Sequence, residues 1–306
     1  MRSKFVVSKS SCVASTIFCV IFFAGPAHAQ HSQDCGEGVK LLLSAPGASQ
    51  GGLLRLEVEN VGAAAEVEAE WAGHTIPFWQ DPARADVRHA FLGVDLDQPA
   101  GEFPLNLTLQ TPGGKQTNCS AVISVNAGHF AIEKLQVAKG FVDLNAEDLQ
   151  RAEKEGQRLR EIYARSTPER LWEGNFRLPL DGPHTGTNFG RRRVLNGQPG
   201  SPHSGVDFPA PAGTPVHAAQ RGRVVLADAL FFPGNTVLLD HGLGLYTFYG
   251  HFESIAVHEG DLVESGAILG RVGATGRVTG PHLHWGLIVN QARVNPLQIV
   301  SPFVKK

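Results

Sequence analysis

The feature that most constrains this fold is a two-residue alternation of apolar and polar side chains in short segments. Clear examples are LRLEVEN (54–60), EVEAEW (66–71) and FPLNLTLQ (103–110). This period places alternate side chains on opposite faces of a strand. Turn residues separate the segments, and the chain contains 35 Gly and 19 Pro. We therefore predict a mainly β protein in which residues 30–130 form an N-terminal immunoglobulin-like β-sandwich.

The periodicity changes between residues 145 and 165. Apolar or small residues recur there at steps of three and four, which predicts a helix with one apolar stripe (Leu149, Ala152, Gly156, Leu159, Tyr163). Asn145 is expected to cap the first turn. We interpret residues 131–176 as a short connector that contains this helix. Residues 177–306 then form a second region that is rich in strands and turns.

The first 29 residues differ from the rest of the chain. A basic start is followed by the apolar run VASTIFCVIFFAG (13–25) and the small residues AHA (27–29). This pattern predicts a secretory signal peptide that is cleaved after Ala29. The alternative is an uncleaved anchor, but the run is shorter than the ~20 residues that a spanning helix needs. We expect an exported protein, periplasmic or extracellular, with no stable membrane span after cleavage.

Removal of the signal peptide makes the chain more acidic. The full chain has 27 Lys+Arg and 29 Asp+Glu, and residues 1–29 contain three basic residues and no acidic residue. The mature chain would therefore have 24 basic and 29 acidic residues. Because binding to phosphate backbones needs clustered positive charge, we expect no nucleic-acid partner.

Two cysteines, Cys35 and Cys119, remain after the signal peptide is removed. Exported proteins meet an oxidising environment, so we predict a disulfide between these two residues. Two free buried thiols are the alternative. The disulfide would tie the mature N-terminus to the strand that begins at Cys119.

Histidines are concentrated in the last third or so of the chain, which holds eight of the thirteen (His184, His203, His217, His241, His251, His258, His282, His284). Pro and Gly surround His203 and Asp207, so an extended segment is expected there, and the even spacing places both side chains on one face. His282 and His284 share a strand face by the same rule. Imidazole and carboxylate groups bind zinc, so the two motifs together indicate a metal site. A lone His-x-x-x-Asp is more typical of a surface pair.

The zinc signature His-Glu-x-x-His is absent from the chain. A general base would therefore come from another histidine. His251, at the end of the aromatic segment LYTFYGHF (245–252), is one candidate. A strand-end residue with no chemical role is the alternative.

Three motifs, HSGVD (203–207), YGH (249–251) and GPHLHWG (280–286), resemble the lysostaphin/LytM-type zinc metallopeptidases in order and spacing. The resemblance covers about residues 180–300 of the sequence. It implies a small antiparallel β-sheet peptidase domain, associated with the cell wall, that cuts peptide bonds in bacterial peptidoglycan.

The resemblance also implies a role for each residue of these motifs. His203, Asp207 and His284 would bind Zn²⁺. His251 and His282 would be catalytic histidines that do not bind the metal. Which of these two is the dominant base stays open.

Expectations about substrate and regulation depend on the same resemblance. The segment FGRRRVLN (189–196) is expected to line the groove, with Arg192 and Asn196 as candidate substrate-binding residues; a solvated loop is the alternative. The alternative function is a non-catalytic module that activates another cell-wall hydrolase, and protein regulators are compatible with the sequence. A polar side chain from the preceding segments could also block the metal until it is displaced.

Overall fold

Strands dominate the computed structural model of the chain. It describes residues 31–62, 65–111, 113–182, 186 and 188–300. The predicted signal peptide and His184 lie outside the described residues. No helix within the described residues is both long and apolar enough to cross a membrane. The mainly β class predicted from the sequence is confirmed.

The N-terminal region is a sandwich of two five-stranded sheets. Its strands are β1 (His31–Asp34), β2 (Lys40–Leu43), β3 (Gly47–Ser49), β4 (Leu53–Glu59), β5 (Glu66–Trp71), β6 (His74–Pro77), β7 (Trp79–Gln80), β8 (Arg88–Gly93), β9 (Gly101–Gln110) and β10 (Gln116–Asn126). One sheet has the order β1-β2-β4-β8-β7 and the other β3-β10-β9-β5-β6. Neighbouring strands are antiparallel, except that β3 and β10 are parallel.

Apolar side chains from both sheets fill the space between them. Leu54, Leu56 and Val58 of β4 are buried, and the polar residues between them are half-buried. This is the alternation that predicted the sandwich. The predicted disulfide is also present: Cys35, which follows β1, is joined to Cys119 of β10, with the two Cα atoms 5.1 Å apart.

A connector follows the sandwich. It contains β11 (Ile132–Leu135), a 3₁₀ turn (Lys139–Phe141) and helix α1 (Ala146–Tyr163). The side chain of Asn145 caps α1 by accepting a hydrogen bond from the backbone N–H of Asp148 at 2.8 Å, as expected. Leu149 of the predicted stripe is 47% exposed, whereas its other four residues are half-buried, and the buried residue of the helix, Ile162, lies outside the stripe.

The connector pairs with a strand from much later in the chain. β12 (Arg192–Leu195) lies parallel to β11 and antiparallel to β13 (Gln198–Pro199). Ile132 of β11 is opposite Arg192 of β12. The pairing fixes the connector against the residues that precede the first predicted ligand motif, HSGVD (203–207).

The C-terminal region is built on a nine-stranded sheet. Its strands are β14 (Gly205–Pro209), β15 (Pro215–His217), β16 (Gly222–Leu230), β17 (Gly234–Gly242), β18 (Leu245–Ile255), β19 (Leu262–Val263), β20 (Ile268–Val272), β21 (His282–Val289) and β22 (Ala292–Val294), and the short helix α2 (Leu297–Val300) follows. The main path of the sheet is β14-β21-β18-β17-β16-β19, and its neighbouring strands are antiparallel. This is the antiparallel sheet expected for the second region.

Both faces of this sheet are covered. Trp285 and Tyr249 belong to the large core on one face. On the other face, α1 packs against the sheet through a smaller cluster that includes Ile162, Tyr246 and Phe248. The Tyr246 hydroxyl donates a hydrogen bond to the carbonyl oxygen of Ile162 at 3.0 Å. The connector helix is therefore fixed to the sheet that carries the histidine motifs.

Charged contacts join the sandwich to the C-terminal sheet. Arg293 of β22 donates to Asp95 at 2.6 Å and to Asp97 at 2.9 Å, both in the loop after β8. The described residues belong to one compact unit, Gln30–Lys305. The domain boundaries predicted at residues 130 and 177 stay predictions.

Candidate metal centre and its cleft

Two neighbouring strands carry the predicted metal ligands. β14 pairs with β21 so that Asp207 is directly opposite His284, and His203 lies just before β14. Leu283 of β21 is fully buried in the core. The residues on either side of it, His282 and His284, therefore lie on the opposite face of the strand, as the two-residue period predicted.

We call His203, Asp207 and His284 the ligand cluster. Nε2 of His203 lies 3.0 Å from Oδ1 of Asp207 and 2.9 Å from Nδ1 of His284. Nδ1 of His284 lies 2.9 Å from the same oxygen of Asp207. Three atoms that can bind a metal therefore form a nearly equilateral triangle.

The three atoms of this triangle share too few protons to be satisfied by one another, which favours the binding of a cation between them. Nδ1 of His203 lies 3.0 Å from the carbonyl oxygen of Asn188, and because a carbonyl only accepts, this nitrogen carries the proton of the neutral ring. Nε2 of His203 is then an unprotonated lone pair next to a carboxylate oxygen and Nδ1 of His284. At most one proton is left for three lone-pair atoms. Two imidazoles and a carboxylate in this arrangement are a donor set that fits a divalent metal ion such as zinc.

Asn188 positions two members of the ligand cluster. Its Nδ2 donates to Oδ2 of Asp207 at 2.9 Å, and its Oδ1 accepts from the backbone N–H of Asp207 at 2.9 Å. Its carbonyl oxygen accepts from His203. The sequence prediction began the groove segment at Phe189 and missed this residue. Asparagine is common in turns for several reasons, so its type gave no signal for this role.

Gly205 allows the His284 ring to lie against β14. A Cβ atom at residue 205 would lie 2.8 Å from Cε1 and Nε2 of His284 and 2.4 Å from the carbonyl oxygen of Trp285. Glycine is required here by close packing, because any side chain would displace the histidine or the paired strand.

We call His251 and His282 the outer histidines. Nδ1 of His251 lies 2.8 Å from the carbonyl oxygen of Thr275, and Nδ1 of His282 lies 2.8 Å from that of Gly280. Each Nδ1 therefore donates, and each Nε2 is the unprotonated nitrogen of the neutral ring. Nε2 of His282 lies 3.7 Å from Oδ1 of Asp207, and the two outer rings have centroids 4.7 Å apart. The outer histidines thus lie next to the ligand cluster, and within the described part of the chain each Nε2 makes no hydrogen bond.

The backbone of His251 is in the left-handed region, with φ of 66°. Residues other than glycine rarely adopt this conformation. It is held by a hydrogen bond from the His251 N–H to the carbonyl oxygen of Pro233 at 2.8 Å and by one from the Gly273 N–H to the His251 carbonyl at 3.0 Å. Such conformations concentrate at functional sites, where the surrounding structure maintains them.

Burial and mutual contacts shift the pKa values of residues in the ligand cluster and of the outer histidine His251. Burial raises the pKa of the Asp207 carboxyl, but hydrogen bonds with His203 and His284 outweigh burial and hold that pKa well below its usual range. Burial lowers the pKa of His284 to about 4 and that of His251 to about 3. Asp207 is therefore a carboxylate and these two histidines are neutral at neutral pH, which are the protonation states that metal binding requires.

The ligand cluster and the outer histidines lie in a cleft with two arms. The first arm is lined by β11 and β12 on one side and by the loop before β21 on the other. The second arm is lined by α1 and by residues of β16, β18 and β21. His251, Arg193 and Arg277 line both arms. The connector therefore supplies one wall of each arm.

Comparison with known proteins shows the family to which this chain belongs. Residues 201–296 match peptidase family M23, and they include the ligand cluster and both outer histidines. A crystal structure of a Pseudomonas aeruginosa protein described as a peptidase M23 is 31% identical, with a TM-score of 0.59, over 79% of this chain and 95% of that one. The chain belongs to peptidase family M23. The family predicted from the three motifs is confirmed.

Curated relatives cover the M23 region and part of what precedes it. The peptidoglycan DD-endopeptidase ShyA of Vibrio cholerae is 35% identical over 203 residues, which are 65% of this chain and 43% of the relative. The peptidoglycan DD-endopeptidase ShyC of the same organism is 40% identical over 129 residues, which are 42% of this chain and 30% of the relative. This M23 chain spans less than half the length of either relative.

The two predicted substrate-binding residues lie away from the ligand cluster of this M23 protein. Arg192 donates to Asp97 of the sandwich at 2.9 Å. Asn196 exchanges two hydrogen bonds of 2.9 Å with the backbone of Val137 in the connector. Both side chains hold the connector and sandwich in place, and neither lines the two arms of the cleft. Arg193 lies there instead.

Arg193 connects the connector to the ligand cluster. Its guanidinium donates to Oδ2 of Asp207 at 3.2 Å and to Oε2 of Glu133 at 3.3 Å. Glu133 lies on β11, so the connector places a carboxylate beside the cleft of the M23 protein. It contacts arginines, and the described residues include no connector side chain within the ligand cluster.

The other predicted histidines within the described residues have different surroundings. Nδ1 of His217 donates to the carbonyl oxygen of Gly266 at 2.9 Å, and the side chain of His258 is 91% exposed. His241 is buried but belongs to a separate hydrogen-bond network. None of these three lines the two arms of the M23 cleft.

Proposed function

We propose that this M23 protein is an exported zinc metalloendopeptidase that hydrolyses peptide bonds of bacterial peptidoglycan. The observation that carries the proposal is the triangle of lone-pair atoms in the ligand cluster. His203, Asp207 and His284 would hold the zinc ion through the three atoms that face one another. A zinc ion bound there supplies Lewis acidity, which polarises a peptide carbonyl and lowers the pKa of the attacking water.

His282 is assigned as the general base. Its Nδ1 donates to the carbonyl oxygen of Gly280, so its Nε2 can accept a proton from the attacking water. Nε2 lies 3.7 Å from Asp207, close to the ligand cluster without belonging to the triangle. The same nitrogen can then deliver the proton to the leaving amine.

His251 is assigned to orient the attacking water. In the neutral ring, Nδ1 donates to Thr275, so Nε2 can accept a hydrogen bond but cannot donate one. A donor to the developing oxyanion would need a proton at Nε2. The tautomer therefore favours the orienting role over direct oxyanion stabilisation.

The choice of substrate is supported by the relatives. ShyA and ShyC are described as peptidoglycan DD-endopeptidases. Export is supported by the leader-like first 29 residues and by the disulfide between Cys35 and Cys119, because disulfides persist in oxidising compartments. A non-catalytic activator is disfavoured because the ligand set and both outer histidines are complete.

The test is digestion of purified peptidoglycan by the mature protein loaded with zinc, followed by mass spectrometry of the released fragments. We expect uncrosslinked peptide fragments whose termini identify the cut bond. Chelated protein and the His282→Ala variant are the controls, and both are expected to release little. Intact crosslinks after digestion with stoichiometric zinc would contradict the proposal and support the activator.

A further inference from the structure

Arginine side chains are concentrated in the second arm of the cleft. Arg193, Arg277 and Arg293 line its second arm, although the whole chain has a net charge of −2. Arg193 pairs with Glu133 and Asp207. Arg293 pairs with two aspartates of the sandwich. Two of the three arginines therefore have carboxylate partners.

Arg277 has no such partner among the described residues. Its Nη1 lies 3.5 Å from the carbonyl oxygen of Phe141, and its guanidinium lies 4.3 Å from the centre of the Phe232 ring. The side chain is half-buried. Burial lowers its pKa, and the positive charge of Arg193 lowers it further. The surroundings therefore hold this cation without compensating its charge.

The carboxylates that line the cleft are already engaged. Glu133 bonds to Arg191 and Arg193, and Asp207 belongs to the ligand cluster. Glu155 of α1 accepts from Arg151 at 2.7 Å and from the backbone N–H of Phe231 at 2.6 Å. None of these three carboxylates pairs with Arg277.

Arg277 lies close to the outer histidines in the cleft. It lies on the loop before β21, five residues before His282, and it lines both arms together with His251. The guanidinium of Arg277 lies close to the Phe232 ring, and the two-pronged donor edge of a guanidinium suits a planar acceptor. A carboxylate has that geometry and supplies the missing negative charge.

We propose that Arg277 is a specificity-determining residue that binds a free carboxylate of the peptide substrate next to the scissile bond. This inference rests on the proposed function, and it narrows the substrate to acidic peptide stems. A stem whose carboxylates are converted to carboxamides would lose the charge but keep its shape. Such stems are therefore discriminated against by this protein.

The test compares two substrates and four proteins. The substrates are crosslinked peptide dimers released from purified peptidoglycan, with their carboxylates either free or chemically amidated. The proteins are the zinc-loaded wild type, Arg277→Gln, Arg277→Lys and the control Arg271→Gln. Arg271 is an exposed arginine of β20 that donates to the carbonyl oxygen of Gly213.

For Arg277→Gln we expect KM for the free-carboxylate dimer to rise roughly ten- to a hundredfold, the range for a hydrogen bond to a charged group, with kcat nearly unchanged. KM for the amidated dimer should be the same in wild type and variant. Arg277→Lys should recover part of the loss, and Arg271→Gln should behave as wild type. An equal effect of Arg277→Gln on both dimers, or no effect on either, would overturn the inference and indicate a structural role.

A binding measurement separates this inference from the proposed function. Fluorescence anisotropy with dye-labelled dimers reports the Kd without catalysis. If the wild type cleaves neither dimer, the proposed function fails. The inference still stands if the wild type binds the free-carboxylate dimer at least tenfold more tightly than Arg277→Gln does, and it fails if the two affinities agree.

Discussion

Two buried histidine groups in the same sheet differ in how their protons are shared. In the ligand cluster, three lone-pair atoms face one another with at most one proton between them. The second group, which we call the His241 network, comprises His241, Thr247, Tyr249 and the backbone N–H of Ala219. There, Nδ1 of His241 donates to the Arg221 carbonyl at 2.8 Å, Nε2 lies 2.7 Å from the Thr247 hydroxyl, and the Ala219 N–H donates to the Tyr249 hydroxyl at 2.9 Å.

The His241 network is complete without any further group. The Thr247 and Tyr249 hydroxyls are 3.0 Å apart, and since a hydroxyl both donates and accepts, every contact can join a donor to an acceptor. Burial alone therefore does not identify a functional histidine. The ligand cluster differs because its three facing atoms have too few protons to hydrogen-bond to one another. The following predictions test that difference.

The largest expected effect comes from removing one corner of the triangle. His284→Ala should reduce release of peptides from peptidoglycan to background, because the two remaining ligands cannot hold zinc in a catalytic geometry. The assay is chromatography of soluble fragments over time. His258→Ala, which changes an exposed histidine, is the matched control and should retain full activity. Substantial turnover by His284→Ala would show that this residue is not a ligand.

Removing an outer histidine should have a smaller effect. His282→Ala is expected to lower kcat by roughly 10²–10⁴, the range for loss of a general base. The thermal midpoint of the zinc-loaded protein should change little, because the ring is not part of the core. A decrease in kcat of less than about tenfold would move the role of base to His251.

Asn188 should tune the ligand cluster without belonging to it. Asn188→Ala removes two bonds to Asp207, so zinc affinity is expected to fall roughly 10–100-fold, as for other residues that orient ligands. Competition with a chromophoric chelator measures this affinity. Asn118→Ala, at an exposed position of β10, is the control. Unchanged affinity in Asn188→Ala would contradict the orienting role.

The smallest effect concerns the His241 network and is a change in stability. Burial lowers the pKa of His241 to about 4, below the value of 6.5 in an unfolded chain. The unfolded state therefore binds more protons between pH 6.5 and 4, and stability is lost as the pH falls through that window. From pH 7 to 5.5 this single group accounts for about 1 kcal/mol of the free energy of unfolding.

His241→Gln should remove that contribution to the pH dependence. Urea unfolding of chelated wild type and variant at pH 7 and at pH 5.5 gives the comparison. The free energy of unfolding should fall less from pH 7 to pH 5.5 in the variant than in the wild type, by about 1 kcal/mol. An identical pH dependence in both proteins would mean that His241 has the same pKa in the folded and unfolded states.

Much of the fold followed from local patterns. The alternation in β4 predicted which residues are buried, because a strand half-covered by a second sheet must alternate. Asn145 predicted the start of α1 because an N-cap is a local device. The ligand cluster was predicted from the resemblance of three motifs to a peptidase family, and the pairing of β14 with β21 places Asp207 opposite His284.

The features that the sequence did not predict depend on contacts between distant segments. Arg192 and Arg193 are neighbours, and alternation along β12 sends their side chains to opposite faces. The pairing of β11 with β12 decides which face of β12 lines the cleft. No local sequence pattern predicts that parallel pairing. The sequence therefore predicted Arg192 as a groove residue, whereas the structure places the side chain of Arg193 in the cleft.

The division of labour between two histidines one residue apart is the central claim. The most direct test is the zinc content of purified His282→Ala and His284→Ala, measured side by side with the wild type by mass spectrometry of the metal. We predict close to one zinc ion per chain for the wild type and His282→Ala, and almost none for His284→Ala. Full zinc in His284→Ala together with loss of zinc in His282→Ala would contradict the assignment.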